Sequence, residues 1–280
     1  MKRAADPIEI LATPEPGHDS PPELPHMITP ELSRRLVDAV ADKVRESTAR
    51  LLSYLPPGAA ERAGSAVPAF FELYRRRPVK DNKGGSGFND GLWIFAYARA
   101  LDPEVIVESG VFKGHSTWLL RQACPDAEIH SFDVDLGHLA YRDPKGALYD
   151  CDWTEAALPA LDGRSSLVFF DDHVDQARRL REAFERGFRY LLFDDNLPVY
   201  NLYATGRPPV PTLEMIMDGR LEPDTEVRWS RNGKTYRYIY READTQGVRP
   251  LIEHYAVLPG LAPLTRHSPG SGLTAVKLFD

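Results

Sequence analysis

Two cysteines in 280 residues, Cys124 and Cys151, offer no C-x-x-C spacing, so neither a disulfide framework nor a thiolate zinc site is suggested. No uninterrupted apolar run approaches the length that crosses a bilayer, and the basic start Met1-Lys-Arg-Ala lacks the apolar stretch of a secretion signal. The chain therefore reads as cytoplasmic, without a membrane partner. A net positive charge is also lacking: 41 acidic against 34 basic side chains leave a formal balance of -7, which disfavours broad contact with a phosphate backbone and leaves nucleic acid outside the expected partners. The local triplet Arg75-Arg76-Arg77 reads as a solvated helix end, where cations complement the dipole. A phosphate loop is missing as well. Asp81-Asn-Lys-Gly-Gly-Ser-Gly-Phe88 has glycines and a lysine but not the G-x-x-x-x-G-K-[ST] spacing, and no buried strand precedes it. Its glycine content suits a lid that orders over a ligand and leads into a helix from Asp90 to Leu101.

What is present is Val105-Ile-Val-Glu-Ser-Gly-Val-Phe-Lys-Gly-His-Ser-Thr117, an apolar run that stops at an acid and turns through glycines. A buried strand ending at Glu108 and passing through Gly110 and Gly114 into a helix near Ser116 would turn backbone amides toward a ligand. The glycines are spaced G-x-x-x-G, not G-x-G-x-x-G, so a dinucleotide fits poorly. S-adenosylmethionine fits better: its cationic sulfonium and amine suit Glu108, and its carboxylate suits the helix start. A second strand, Ala127-Glu-Ile-His-Ser-Phe-Asp133, ends on a carboxylate placed to accept ribose hydroxyls. Asp135 is the nearer rival for that role, and a helix-capping acid is the bland alternative.

Two further apolar runs end in doubled acids, Ser166 to Phe170 before Asp171-Asp172-His173, and Arg189 to Phe193 before Asp194-Asp195-Asn196. Between them Val174, Ala177, Leu180 and Phe184 recur at helical spacing, with Arg178, Arg179, Arg181 and Glu182 largely on other faces. A strand-helix-strand unit of that length places both acidic ends on one edge of a parallel sheet. Four carboxylates and an amide then converge, and a divalent cation such as Mg²⁺, Mn²⁺ or Ca²⁺ relieves their repulsion. After a short strand Ala147-Leu148-Tyr149, Asp152 either accepts from an adenine amine, with Trp153 against the ring, or caps a helix starting at Trp153 or Thr154.

The stretch from about Asp90 to Asn196 resembles the class I S-adenosylmethionine-dependent methyltransferases. Within them it is most similar to the metal-dependent O-methyltransferases of catechol and macrolide-sugar type and to the cephalosporin-hydroxylase-like group. Glu108 to Ser116 resembles their E-x-G-x-x-x-G-x-S motif, and Phe132-Asp-Val-Asp135 their acidic second strand end. The resemblance implies Asp133 at the ribose, Ser116 beside the methionine carboxylate, and a metal held by Asp172, Asp195 and Asn196. A shift of one residue would put Asp171 or Asp194 in the ligand set. The resemblance further implies that Asp172 takes part in catalysis through the metal. Where the catechol-type group carries a general-base lysine, this chain has Asp175, which leaves His173 as the candidate proton acceptor or, equally, a contact near the adenine. The implied activity is methyl transfer to a hydroxyl of a small molecule such as a sugar, polyketide or phenol, with a peptide also compatible. A metal-independent or hydroxylase-like relative, or a non-catalytic S-adenosylmethionine-binding protein, is the alternative.

The expected fold is α/β, a Rossmann-like, mostly parallel sheet with helices on both faces, antiparallel C-terminal strands and an N-terminal helical extension. Residues 1–28, rich in Pro, Glu and Asp, read as a flexible segment, 29–80 as a helical cap, and 81–280 as the ligand-binding domain. The first helix is read from an N-cap at Thr29 with Pro30 in its first turn, through Leu32, Leu36, Val40 and Val44, with Val37, Leu51 and Leu55 extending the stripe to Pro56-Pro57-Gly58. That stripe packs on the sheet by default, or caps the site, or pairs two copies into a homo-oligomer. Beyond Asn196, the proline-broken loop to Pro209 offers Tyr200, Asn201 and Tyr203 as acceptor contacts. A hairpin is expected around Asn232-Gly233, and Gly272 to Phe279 as a closing strand.

Overall fold

The computed structural model describes residues 7–10, 33–267 and 272–280. In chain order the elements are β1 (Ile8–Ile10), α1 (Arg34–Leu51), α2 (Ala59–Tyr74), α3 (Phe88–Leu101), β2 (Val105–Ser109), α4 (His115–Ala123), β3 (Glu128–Phe132) and β4 (Ala147–Tyr149). There follow β5 (Ser166–Phe170), α5 (Gln176–Glu185), β6 (Tyr190–Phe193), α6 (Leu213–Asp218), β7 (Glu226–Arg231), β8 (Lys234–Ile239), α7 (Glu242–Thr245), β9 (Ile252–Val257), α8 (Ala262–Thr265) and β10 (Thr274–Leu278). Seven strands form one sheet in the order β4-β3-β2-β5-β6-β10-β9. The pairs from β4 to β6 are parallel, and β10 runs antiparallel to both neighbours. The α/β class, the parallel centre and the antiparallel C-terminal strands are as the sequence patterns require.

The central strands β2 and β5 are buried along their whole length, which is why they read as continuous Val, Ile, Leu and Phe runs and not as alternating ones. Alternation still decides which layer each side chain joins. Ile106 and Leu167 pack with Val44, Val67, Phe70, Leu92 and Leu119 of the helices on one face. Val107 and Val168 pack with Ala177, Leu180, Leu213 and Trp229 on the other. Helix α3 is buried at every residue but Arg99, with only Asn89 and Asp90 polar among the buried ones, so it shows no single apolar face. The N-terminal helices thus share a core with the sheet.

Several boundaries differ from expectation. Helix α1 starts at Arg34 with Ser33 as its N-cap residue, whereas Thr29, Pro30 and Leu32 lie outside the described residues. Within the segment read as flexible, Ile8–Ile10 pairs in parallel with β7 and extends the hairpin β7–β8 into a second, three-stranded sheet. No helix begins at Trp153 or Thr154; that stretch is a turn closed by Asp152, which accepts from the N–H and the hydroxyl of Thr154. Arg77 is not a solvated helix end: it is buried, donates to the Tyr74 carbonyl and lies over the Tyr74 ring.

That buried guanidinium adjoins His115, whose own environment has a consequence for stability. The imidazole is buried, Tyr74 stands edge-on to it with ring centroids 5.5 Å apart, and neither ring nitrogen has a hydrogen-bond partner. Burial and then the charge of Arg77 lower its pKa to about 3. The unfolded chain therefore takes up a proton near the ordinary histidine pKa that the native state refuses, so stability is full above about pH 6.5 and falls as the pH drops toward 3. Chemical denaturation at pH 7 and pH 5 should show a loss of about 2 kcal/mol attributable to this group, and His115→Leu should flatten the difference by that amount. An equal pH dependence in the variant would place the proton elsewhere.

Candidate functional site

The chain leaves β2 toward β3 and β4 on one side, then returns to β5 and β6 on the other, so the order reverses between β2 and β5. Loops diverge at such a point and open a crevice at the carboxyl ends of the strands. A cavity of about 300 Å³ lies there, walled by Ser109 and Gly110 at the end of β2, Asp133 after β3, Asp152 after β4, and Asp171 to Val174 after β5. Gly84 and Gly85 of the glycine-rich stretch close one side, Lys113 donating to the Asp81 carbonyl at its start.

Gly110 has φ +99°, and a Cβ built there would lie 2.3 Å from the Asp171 carbonyl oxygen. Only glycine lets the exits of β2 and β5 meet. Asp133 Oδ2 accepts from the Val111 and Phe112 N–H groups at 2.9 and 2.7 Å, and Oδ1 accepts from Asp135 N–H at 2.9 Å, so the expected ribose ligand also clamps the glycine turn. Its rival Asp135 is exposed and caps the following short turn through Gly137 N–H.

Glu108 is placed differently from expectation. Strand alternation turns it to the face opposite Ser109, where it is fully buried and accepts from Thr117 Oγ1 at 2.6 Å and Ser131 Oγ at 2.8 Å. Burial pushes its pKa up, the hydroxyls of Ser116, Thr117 and Ser131 pulling the other way. It ties α4 to β3 and does not wall the cavity. Gly114 and Ser116 stand off the cavity too: a Cβ on Gly114 would lie 2.2 Å from the Tyr141 carbonyl oxygen, because residues 140–141 are bonded across the start of α4. Trp153 is buried against Phe170 and Phe188 under the Arg186 guanidinium, so it is no adenine platform.

At the rim, one ligand atom each from Asp171, His173 and Asp195 lie within 4.8 Å of one another. A cavity of about 10 Å³, room for a single small sphere, is lined by these three together with Asp194 and Pro209. His173 Nδ1 stands 3.2 Å from Asp195 Oδ2. Burial, then the charges of Asp194, Asp195 and Asp172, pushes the Asp171 pKa well up. The Asp195 hydrogen bond raises that of His173, against burial. The three form a donor set of hard oxygens and an imidazole with more negative charge than the site neutralises, which suits a divalent cation.

Two residues expected as metal ligands are committed elsewhere. Asp172 accepts from Ser109 Oγ at 2.5 Å, Arg179 Nε at 2.8 Å and Val174 N–H at 3.1 Å. Burial raises its pKa while Arg179 and these donors oppose the rise. Asn196 donates to Tyr255 Oη and Thr274 Oγ1 and accepts from Glu214 N–H, so all its polar atoms serve to tie α6, β9 and β10 to β6. Asp171 stands at the rim where Asp172 was expected. Asp175, at the lysine position of the catechol type, caps α5 through Arg178 N–H.

Tyr200 is 69% exposed and, with Val199, lines a different cavity beside Ile8–Ile10, while Tyr203 packs into the core near the hairpin; neither these nor Asn201 wall the main cavity. Ser109 and Arg179 wall the cavity without having been among the expected site residues. Ser109 follows the strand-end acid by one position, and Arg179, expected largely off the apolar face of its helix, is instead buried because Asp152 and Asp172 from two strand ends pair with it.

No protein-family model matches the chain, and no curated protein matches it. Among solved structures, the O-methyltransferase TomG from Streptomyces achromogenes, involved in tomaymycin synthesis and bound to SAM, is 15% identical with a TM-score of 0.43, over 89% of this chain and 100% of that one. CmcI with Mg and SAM is 14% identical with a TM-score of 0.42, over 69% of this chain and 72% of that one. CmcI with SAH is 18% identical with a TM-score of 0.35, over 40% of this chain and 62% of that one, so this match spans less than two thirds of that protein. Likeness at this level says nothing about chemistry.

Because the Asp171 carbonyl leaves no space at Gly110, Gly110→Ala should destabilise the fold by about 2–3 kcal/mol, read from urea unfolding. Gly206→Ala, where a Cβ meets nothing within 4 Å, should stay within about 0.5 kcal/mol. Equal stabilities would show that the two strand exits are not in contact.

Proposed function

We propose that this protein is an S-adenosylmethionine-dependent methyltransferase acting on a hydroxyl of a small molecule, with a divalent cation at Asp171, His173 and Asp195. One observation carries the reading: the main cavity and the small rim cavity share the wall Asp171 to Val174, so a donor in one lies next to an acceptor oxygen at the other.

The chain's own residues divide the work. Gly110 lets the β2 exit lie against the β5 exit in the cavity wall, and Asp133, already fixed by three backbone N–H groups, keeps a lone pair on Oδ1 for a ribose hydroxyl. Asp152 is held against Arg179, so its carboxylate is a fixed acceptor on the side where an adenine amine would lie. Burial opposes its ionisation, but Arg179 and Thr154 outweigh burial and keep its pKa below the usual carboxylate range. Asp171 and Asp195 supply the charge, and His173 the nitrogen, that would hold the cation. When bound, the cation would lower the pKa of an acceptor hydroxyl so that its proton passes to solvent, freeing the oxygen to take the methyl carbon while the C–S electron pair would stay on sulfur.

A metal-free transfer on the same scaffold is the second reading, favoured by the His173–Asp195 contact: with Nδ1 engaged by the carboxylate, Nε2 is left to take the acceptor proton.

Titration with S-adenosylhomocysteine should show binding without metal, and Mn²⁺ added to the protein should lose its free-ion resonance signal. Asp195→Asn should weaken Mn²⁺ by about tenfold or more while S-adenosylhomocysteine binding holds. In a screen of hydroxylated metabolites with methyl-labelled donor, EDTA should abolish transfer. Transfer that survives EDTA but not His173→Ala selects the metal-free reading, and failure to bind S-adenosylhomocysteine removes both.

A further inference from the structure

Asp171 and Asp172 are adjacent acids at the end of one strand, yet their surroundings are opposite. Asp172 reaches toward α5, where both of its oxygens have protein donors, the charged one being Arg179. The Arg179 side chain is 2% exposed and spends its remaining donors on Asp152, at 2.6 and 3.2 Å, and on Glu182 at 2.8 Å. Burial opposes the charge on Arg179, but the three carboxylates around it outweigh burial and hold it firmly protonated. Asp171 has Ser86 Oγ at 3.4 Å on the other side and otherwise faces His173 and Asp195.

Without Arg179, Asp172 would be a fourth carboxylate beside Asp171, Asp194 and Asp195, with every reason to turn toward whatever positive charge the rim holds. We propose that Arg179 is a positioning residue that divides this acidic pair, anchoring Asp172 in the wall of the main cavity with Asp152 and so leaving Asp171 to join His173 and Asp195. The proposal rests on the reading that these three hold a divalent cation. The same guanidinium spans the exits of β4 and β5, so the acid beside the adenine side of the cavity and the acid beside the rim are fixed by one side chain.

Mn²⁺ titration followed by electron paramagnetic resonance, with S-adenosylhomocysteine calorimetry on the same samples, separates the possibilities. Asp171→Asn should weaken Mn²⁺ by about tenfold or more, whereas Asp172→Asn should stay within about twofold of the parent. Arg179→Met should tighten Mn²⁺ by about fivefold as Asp172 is released toward the ion, and adding Asp172→Asn in the same chain should bring the affinity back. An Asp172→Asn loss as large as that of Asp171→Asn overturns the assignment, as does an Arg179→Met protein that binds Mn²⁺ like the parent. Should Arg179→Met not fold, the comparison of the two single Asn variants decides alone. A parent protein that binds S-adenosylhomocysteine but no Mn²⁺ ends the cation reading and this one with it. Normal Mn²⁺ binding with the wrong variant pattern removes only the role of Arg179.

Discussion

Negative charge gathered on one edge of a sheet governs this structure. Glu108, Asp133, Asp152, Asp171, Asp172, Asp194 and Asp195 all come from the ends of five neighbouring parallel strands, where the direction of the chain alone brings them together. Carboxylates so placed raise one another's pKa and cost free energy unless each finds compensation. The protein compensates most of them, by several kinds of contact. Asp172 and Asp152 share a guanidinium, Asp133 takes backbone N–H groups, Glu108 takes hydroxyls, and Asp195 takes an imidazole. Asp171 receives the least, and burial among like charges drives it toward its neutral form. Protonation and, on the function proposed above, cation binding are alternative ways of meeting that same excess.

The backbone at this edge is as constrained as the charges. Phe112, His173 and Asp195 have φ between 49° and 55°, a region that residues with a Cβ enter at a cost, and each follows the end of a central strand. Gly110 sits among them with a carbonyl where its side chain would be. Strain of this kind persists only where the surroundings over-determine it. Here the surroundings are β2 and β5, hydrogen-bonded along their whole length and buried on both faces by apolar layers that turn the strand ends at fixed points.

Much of this was legible in the sequence because strand-end chemistry is local. The apolar runs from Val105, Ala127, Ser166 and Arg189, each followed by an acid, specify the parallel centre, and the helical stripe at Ala177 and Leu180 specifies the crossover. The hairpin at Asn232-Gly233 follows from turn chemistry, both residues lying at positive φ. What was not legible is which partner each strand-end side chain finds. Asn196 looks like a ligand until β9 and β10 bring Tyr255 and Thr274 to it from more than fifty residues away. Glu108 looks like a ligand until Thr117 and Ser131 claim it. Gly114 looks open until residues 140–141 fold across it. Each displacement is the work of a tertiary contact that no spacing within the motif encodes.

The doubled acids show why the ambiguity was one residue wide and no wider. Side chains alternate along a strand, so of two consecutive residues at its end one is directed to each layer. Asp171 meets Ser86, from the chain leading into α3, and Asp172 meets Arg179 of α5 on the other side. A single acid would serve one layer only, as either rim charge or wall anchor. Two in succession serve both, provided that one layer carries a cation of its own to claim its share. Arg179 is that cation, so the choice between Asp171 and Asp172 was never a property of the pair and rests with the helix packed against it.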